Sequence, residues 1–215
     1  MVAVPAGKPS NARPYAGVDA ADRLATRRYR LLEAGLDLLG ADRPDPAALT
    51  VRGICSAAGL TARYFYESFA DKDEFVSAVF DRVIGDLAAS TQAVVDAAPP
   101  SEQTRAGIDN VVRTIAGDAR IGRLLFSAQL SNPVVVRKRA ESGALLAMLS
   151  GQHVVAVLHM PENDLIKAAA HFVVGGVGQT LSAWLADEVS LAPDQLVDQL
   201  TALLDRLGDP ALYRG

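Results

Sequence analysis

One cysteine, Cys55, stands in the 215 residues, so an internal disulfide is excluded and a reducing cytoplasm suits the chain. Histidine is almost as scarce. His153, His159 and His171 lack the local spacing of metal ligands, and no nucleophile, base and orienting group recur in a recognisable motif. An enzyme, a metalloprotein and a cofactor are therefore not expected. No apolar run approaches the ~18 uninterrupted residues of a membrane helix. Sustained apolar–polar alternation is missing too, although Val134-Val135-Val136 and Val154-Val155 are locally β-friendly. Residues 1–20 hold Pro5, Pro9 and Pro14 but no apolar core of signal-peptide length, and read as a flexible arm. The run from Gly175 to Thr180 has the glycines of a phosphate loop without its lysine or its preceding strand. There is no internal repeat and no low-complexity tract.

What the chain does have is helix-forming apolar residue. Hydrophobic residues make up 50% and charged residues 21%, too apolar for disorder. Leu24, Leu31, Ala34, Leu38 and Leu39 recur at helical spacing and predict a helix over 22–40, ended by Gly40, Pro44 and Pro46. Thr50 can cap a short helix whose inward face is Val51, Ile54, Cys55 and Ala58. Gly59 suits the left-handed residue that stops it, Leu60 the corner, and Thr61 the cap of a second short helix reaching about Glu67. Two short helices about a glycine turn are the sequence form of a helix-turn-helix. A longer helix spans 71–98, opened by Asp71, Asp73 and Glu74, striped by Phe75, Val79, Val83 and Leu87, and stopped by Pro99-Pro100. Further helices are expected near 102–117, 120–130, 133–158, 162–187 and 193–207. The fold class is thus all-α. A three-helix head over 21–70, a connecting helix over 71–98 and a helical C-terminal domain over 101–215 follow the arm.

The second short helix carries the chemistry. In a helix-turn-helix it enters the major groove with its first residues at the base edges. Here these are Thr61, Ala62, Arg63, Tyr64 and Phe65. Arg63 can hold a guanine bidentately, and Ala62 can meet a thymine methyl. Tyr64 can address a base or a phosphate, and Phe65 points to the core. Thr50, Arg52 and Thr61 are candidate phosphate contacts, and the helix N-terminus at Asp71 and Lys72 suits an anion. The net charge of −4 argues mildly against nucleic acid, yet only the contact surface must be positive. Arg23, Arg27, Arg28 and Arg30 are either part of that surface or an ordinary solvated face.

The stretch from Thr50 to Phe75 resembles the reading head of the tetracycline-repressor (TetR) family of one-component regulators. Ile54, the Ala58-Gly59-Leu60-Thr61 turn, Tyr66, Phe69, Lys72 and Phe75 carry the resemblance, which covers roughly residues 22–80. It implies a dimeric DNA-binding regulator, usually a repressor, with Tyr66 and Lys72 on the phosphate backbone. Arg63-Tyr64 departs from the small residues common there, so no relative's operator transfers to this chain. The resemblance also implies that the last two helices pair with their counterparts in a second copy. Phe172, Gly176, Leu181, Trp184, Leu200 and Leu204 are the candidate interface, the alternative being that these faces serve the monomer's own core. Gly175, Gly176 and Gly178 would each cost ~1 kcal/mol in an exposed helix unless another helix packs close.

An effector pocket is expected among Val112, Ile115, Leu124, Leu125, Phe126, Leu145, Leu149 and Phe172, with Gln129, Asn132, His153 and His171 as polar anchors. Leu125, Phe126, Gln129, His153, His171 and Phe172 are the named candidates for a small, largely apolar effector. Expected partners are operator DNA, a second copy and that effector, with no membrane. The alternative is a small-molecule-binding or protein-interaction module that keeps the fold without reading DNA.

Overall fold

A computed structural model describes residues 15–213. Its helices are α1 (Tyr15–Leu39), α2 (Val51–Ala58), α3 (Ala62–Tyr66), α4 (Lys72–Ala97), α5 (Gln103–Gly117), α6 (Ala119–Phe126), α7 (Pro133–Leu158), α8 (Asp164–Leu185) and α9 (Pro193–Arg206). The chain is all-α, in the order its periodicity predicts. The largest boundary difference lies at the start. Helix α1 begins at Tyr15, inside the stretch assigned to the arm, because no proline follows Pro14 to interrupt it. The rest of that arm lies outside the described residues. Helix α6 stops at Phe126, short of the expected 130, and a 3-10 turn at Pro210–Tyr213 was not foreseen.

Polar side chains at the helix starts satisfy backbone N–H groups that have no partner within the helix. The Asp71 carboxylate accepts from Glu74 N at 2.8 Å, and the Glu74 carboxylate accepts from Ala70 N at 2.7 Å. Asn132 accepts from Val134 N and Val135 N ahead of Pro133, whose missing N–H costs nothing in the first turn. Asn163 accepts from Ile166 N at the head of α8.

Two hydrophobic clusters result. The larger joins Leu31 and Leu39 of α1, Ile54 of α2, Phe65 of α3, Phe75 to Phe80 of α4, Leu124 of α6 and Val135 of α7. The smaller joins Val112 and Ile115 of α5, Leu181 of α8, and Leu196, Val197 and Leu200 of α9. Val111 and Phe126 touch both. Helix α4 therefore shares its core with the head that precedes it. Gly35 allows this closeness, since a Cβ there would lie 2.5 Å from Val79 Cγ2.

A charged junction fixes α6 to the end of α1. Arg120 pairs with Asp37, and with Asp118 at 2.6 Å. Arg123 Nε donates to Gly40 O at 2.6 Å. The Arg120 guanidinium holds the Asp118 carboxyl below the ordinary carboxylate range, chiefly through that hydrogen bond.

Arg139 of α7 caps the other end of α6. Its guanidinium donates to Leu124 O at 3.0 and 2.7 Å, to Ser127 O at 2.8 Å and to Arg123 O at 2.9 Å. These carbonyls end a helix and carry its negative dipole end, so a cation is well placed there. Burial lowers the Arg139 pKa, but the group starts so high that it stays charged. Arg139→Met keeps most of the stem volume and removes every donor. It is expected to cost about 2–4 kcal/mol, because the abandoned carbonyls lose charge-assisted bonds. Urea denaturation followed by circular dichroism checks this, and a loss below about 0.5 kcal/mol would show the cap to be idle.

Candidate nucleic-acid interface

The head is held in shape by backbone geometry that its residue types dictate. Thr50 Oγ1 accepts from Gly53 N at 3.1 Å and caps α2. At the far end Gly59 adopts φ 62 and ψ 39, the left-handed region where glycine is at ease. Gly59 N donates to Ser56 O and Leu60 N to Cys55 O, the paired bonds of a Schellman turn. Another carbonyl of that last turn, Ala58 O, accepts from Arg30 Nη2 at 2.7 Å. Cys55 is buried on the inward face of α2, and burial pushes its thiol up, away from thiolate chemistry.

Helix α3 has a single buried residue, Phe65, with no exposed surface. Its ring sits 5.5 Å from that of Phe69 and 5.4 Å from that of Phe75. Arg28 covers this cluster, with its guanidinium 4.3 Å from the Phe69 ring and Nη1 donating to Ser68 O at 2.7 Å. Thr61 occupies the cap position of α3, but its side chain makes no capping hydrogen bond, contrary to the sequence expectation. The first turn is closed instead by Tyr64 N on Thr61 O at 3.0 Å.

On this anchored helix the reading candidates face outward. The Arg63 side chain is 81% exposed. Tyr66 is 61% exposed and meets Phe65 edge-on at 5.4 Å. Tyr64 is half-buried, with the Arg27 guanidinium over its ring at 4.0 Å. Thr50, Arg52, Thr61, Ala62 and Lys72 are exposed, and Lys72 begins α4 just after its capping Asp71. Arg52, Ala62 and Tyr66 come together around an open hollow between α2 and α3.

The basic run of α1 plays a role that neither open reading of it contained. Arg27, Arg28 and Arg30 fasten the head to itself, through the Tyr64 ring, the Ser68 carbonyl and the Ala58 carbonyl respectively. Sequence reasoning also passed over Glu67, whose carboxylate lies 2.9 Å from Arg63 Nε and 3.8 Å from Arg27 Nη1. Its signal was the four-residue step from Arg63, which puts both side chains on one helix face.

The C-terminal candidates differ in burial. Val112 and Ile115 are buried in the smaller cluster, Leu124 and Leu125 in the larger, and Phe126 lies between them. Gln129, Leu145, Leu149, His153 and His171 are exposed, and Phe172 is 69% exposed. Asn132 is spent on capping α7. Of the pairing candidates, Leu181 and Leu200 are buried within the chain and Leu204 is half-buried. Trp184 is half-buried and donates through Nε1 to Leu191 O at 2.8 Å. Phe172 and Gly176 lie on open surface. A cavity of about 360 Å³ lies between α1, α4, α5 and α6, edged by Glu33, Arg82, Asp86, Asp118 and Arg120. None of the residues expected around the effector pocket lines it. Among the described residues no helix is long and apolar enough to cross a membrane.

No protein-family model and no curated protein matches the sequence. Solved structures do match. The fatty acid degradation regulator FadR from Bacillus halodurans superposes with a TM-score of 0.64 at 16% identity, over 83% of this chain and 94% of its own. A TetR-like transcriptional regulator from Rhodococcus sp. RHA1 gives 0.64 at 18% identity, over 89% and 98%. The transcriptional regulator FadR from Bacillus subtilis, solved with stearoyl-CoA, gives 0.62 at 16% identity, over 82% and 96%. With its three-helix head, long α4 and C-terminal helices in the same arrangement, the chain has the fold of TetR-like regulators.

Proposed function

We propose that this protein is a cytoplasmic transcription regulator, a repressor, that binds a pseudo-palindromic operator as a homodimer and is modulated by a small, largely apolar effector. One observation carries the reading. Just after Thr61, Arg63 and Tyr66 project from a short helix whose only buried residue locks it to a capped, glycine-turned head. An exposed arginine on a rigid helix is what bidentate guanine recognition needs, and Thr50, Arg52 and Lys72 supply hydrogen-bond donors for phosphates. A single such head reads few base pairs. Two heads about 34–36 Å apart read both half-sites together.

The effector reading draws on Leu145, Leu149 and Phe172, apolar side chains that α7 and α8 leave exposed. A ligand settling among the C-terminal helices would act on DNA affinity through α4, which shares its core with the head, and through the Arg120 junction. Typical couplings of ~1–3 kcal/mol alter affinity roughly 5–150-fold. Stearoyl-CoA, present in the Bacillus subtilis structure, is the first probe to add.

The test is a mobility shift on duplexes flanking the protein's own gene and on duplexes selected from a random pool. Arg63→Ala is expected to lower the preference for the selected duplex by about 1–3 kcal/mol, a factor of roughly 5–150. Binding to scrambled DNA should weaken less than binding to the selected duplex. A wild-type protein that prefers no duplex at any salt concentration would leave the fold serving small-molecule or protein binding instead.

A further inference from the structure

We propose that Glu67 is a specificity-determining positioning residue, resting on the DNA-reading role above: it grips Arg63 by its Nε edge and leaves the terminal amino groups to a guanine. Three contacts place it. Glu67 Oε1 lies 2.9 Å from Arg63 Nε. Its other oxygen, Oε2, lies 3.8 Å from Arg27 Nη1. Arg27 in turn covers the Tyr64 ring at 4.0 Å. One carboxylate thereby ties together both bulky residues offered to base edges.

The chemistry follows from the guanidinium. It has five N–H donors in a rigid fork. Engaging Nε–H with a carboxylate uses one of them and fixes the plane of the group. The Nη1 and Nη2 donors remain, and two of these suffice for guanine O6 and N7. A free arginine side chain would have to lose its rotamer freedom on each encounter, whereas a held one has lost it beforehand. Glu67 itself is 34% exposed against 81% for Arg63, so the anchor is the better-seated partner.

The carboxylate has a second effect of opposite sign. It sets a negative charge on the surface that meets phosphates, which weakens sequence-independent attraction. Glu67 thus raises discrimination by ordering the base contact, while its charge lowers affinity for every duplex. A mere stabiliser of α3 would do neither.

The experiment measures affinity by fluorescence anisotropy on two duplexes of equal length, one selected by the wild-type protein and one scrambled. Glu67→Gln, Arg63→Ala and the double variant are compared over a range of salt. Glu67→Gln should bind the scrambled duplex more tightly, and its selected-to-scrambled ratio should fall about tenfold. In the Arg63→Ala background the same change should leave the ratio where Arg63→Ala put it. An unchanged ratio in Glu67→Gln, or an equal fall with Arg63 absent, would overturn the proposal. Should Glu67→Gln melt well below wild type, Glu67→Asp decides. It keeps the charge but shortens the reach, so the ratio should fall while scrambled binding holds; an unchanged ratio overturns the proposal. A wild type without any preferred duplex defeats the regulator reading itself, an outcome distinct from a specific wild type with an indifferent Glu67→Gln.

Discussion

Phe65→Ala is expected to lower stability by about 3–5 kcal/mol and to abolish sequence-specific DNA binding. The side chain is wholly buried, and its ring meets Phe69, Phe75 and Tyr66. Truncation removes that packing and leaves a void beneath a helix of only five residues. Isolated helices shorter than ~12–15 residues are marginal in water, so α3 owes its form to this anchor. The Thr61 side chain does not help, because it makes no capping bond. Arg28, holding Ser68 O, secures only the exit of the helix. Tyr66→Ala is the control, because its ring is mostly exposed and its loss should cost under about 1 kcal/mol. Chemical denaturation of the two variants separates the cases. A Phe65→Ala protein as stable as Tyr66→Ala would show that the aromatic cluster does not support the reading helix.

Where a feature depends on a few adjacent residues, it was legible in the chain. Thr50 before Val51 and Gly59 after Ala58 each state a helix end chemically, and α2 is bounded there, whereas Asn132, read as a polar anchor, caps α7 instead. The outward Arg63 and inward Phe65 follow from helical spacing in the same way. What resisted reading is anything set by a distant partner. The α1 arginines read as either a phosphate surface or a solvated face until Ala58 O and Ser68 O are brought to them. Arg139 gives no local hint that it caps α6. The apolar periodicity of α8 and α9 tells which residues share a face but not what covers the face. Leu181 and Leu200 proved to be buried by their own chain, whereas Phe172, an equally regular member of the pattern, is bare. Of the six effector candidates, Leu125 is buried, Phe126 is half-buried and Gln129, His153, His171 and Phe172 are exposed.

Phe172→Glu is expected to convert a dimer to a monomer and to weaken operator binding roughly 10²–10⁴-fold, the range by which linking two modules raises avidity. Leu165, Ala168, Phe172, Gly175, Gly176 and Gln179 form an exposed, uncharged stripe along α8. Among the described residues, nothing beyond the neighbouring turns of α8 comes within 4 Å of a Cβ built at Gly175 or Gly176, so packing there does not call for glycine. At ~1 kcal/mol each against alanine, such glycines are costly in an exposed helix and cheap against the backbone of a second one. In the homodimer proposed above, a second copy would offer the same stripe about a two-fold axis, with small residues meeting small ones and each Phe172 covered. Glutamate at this position would set carboxylates near that axis without disturbing the monomer, since Phe172 is 69% exposed. Sedimentation should therefore show the smaller species while the monomer stays folded. Binding to a single half-site should persist. Leu181→Ala makes the contrast, because Leu181 is buried within the chain and its loss should cost about 2–5 kcal/mol of fold stability. A Phe172→Glu protein that still sediments as a dimer would move the pairing surface off α8. Gly175 and Gly176 would then have no packing reason in either the chain or its assembly.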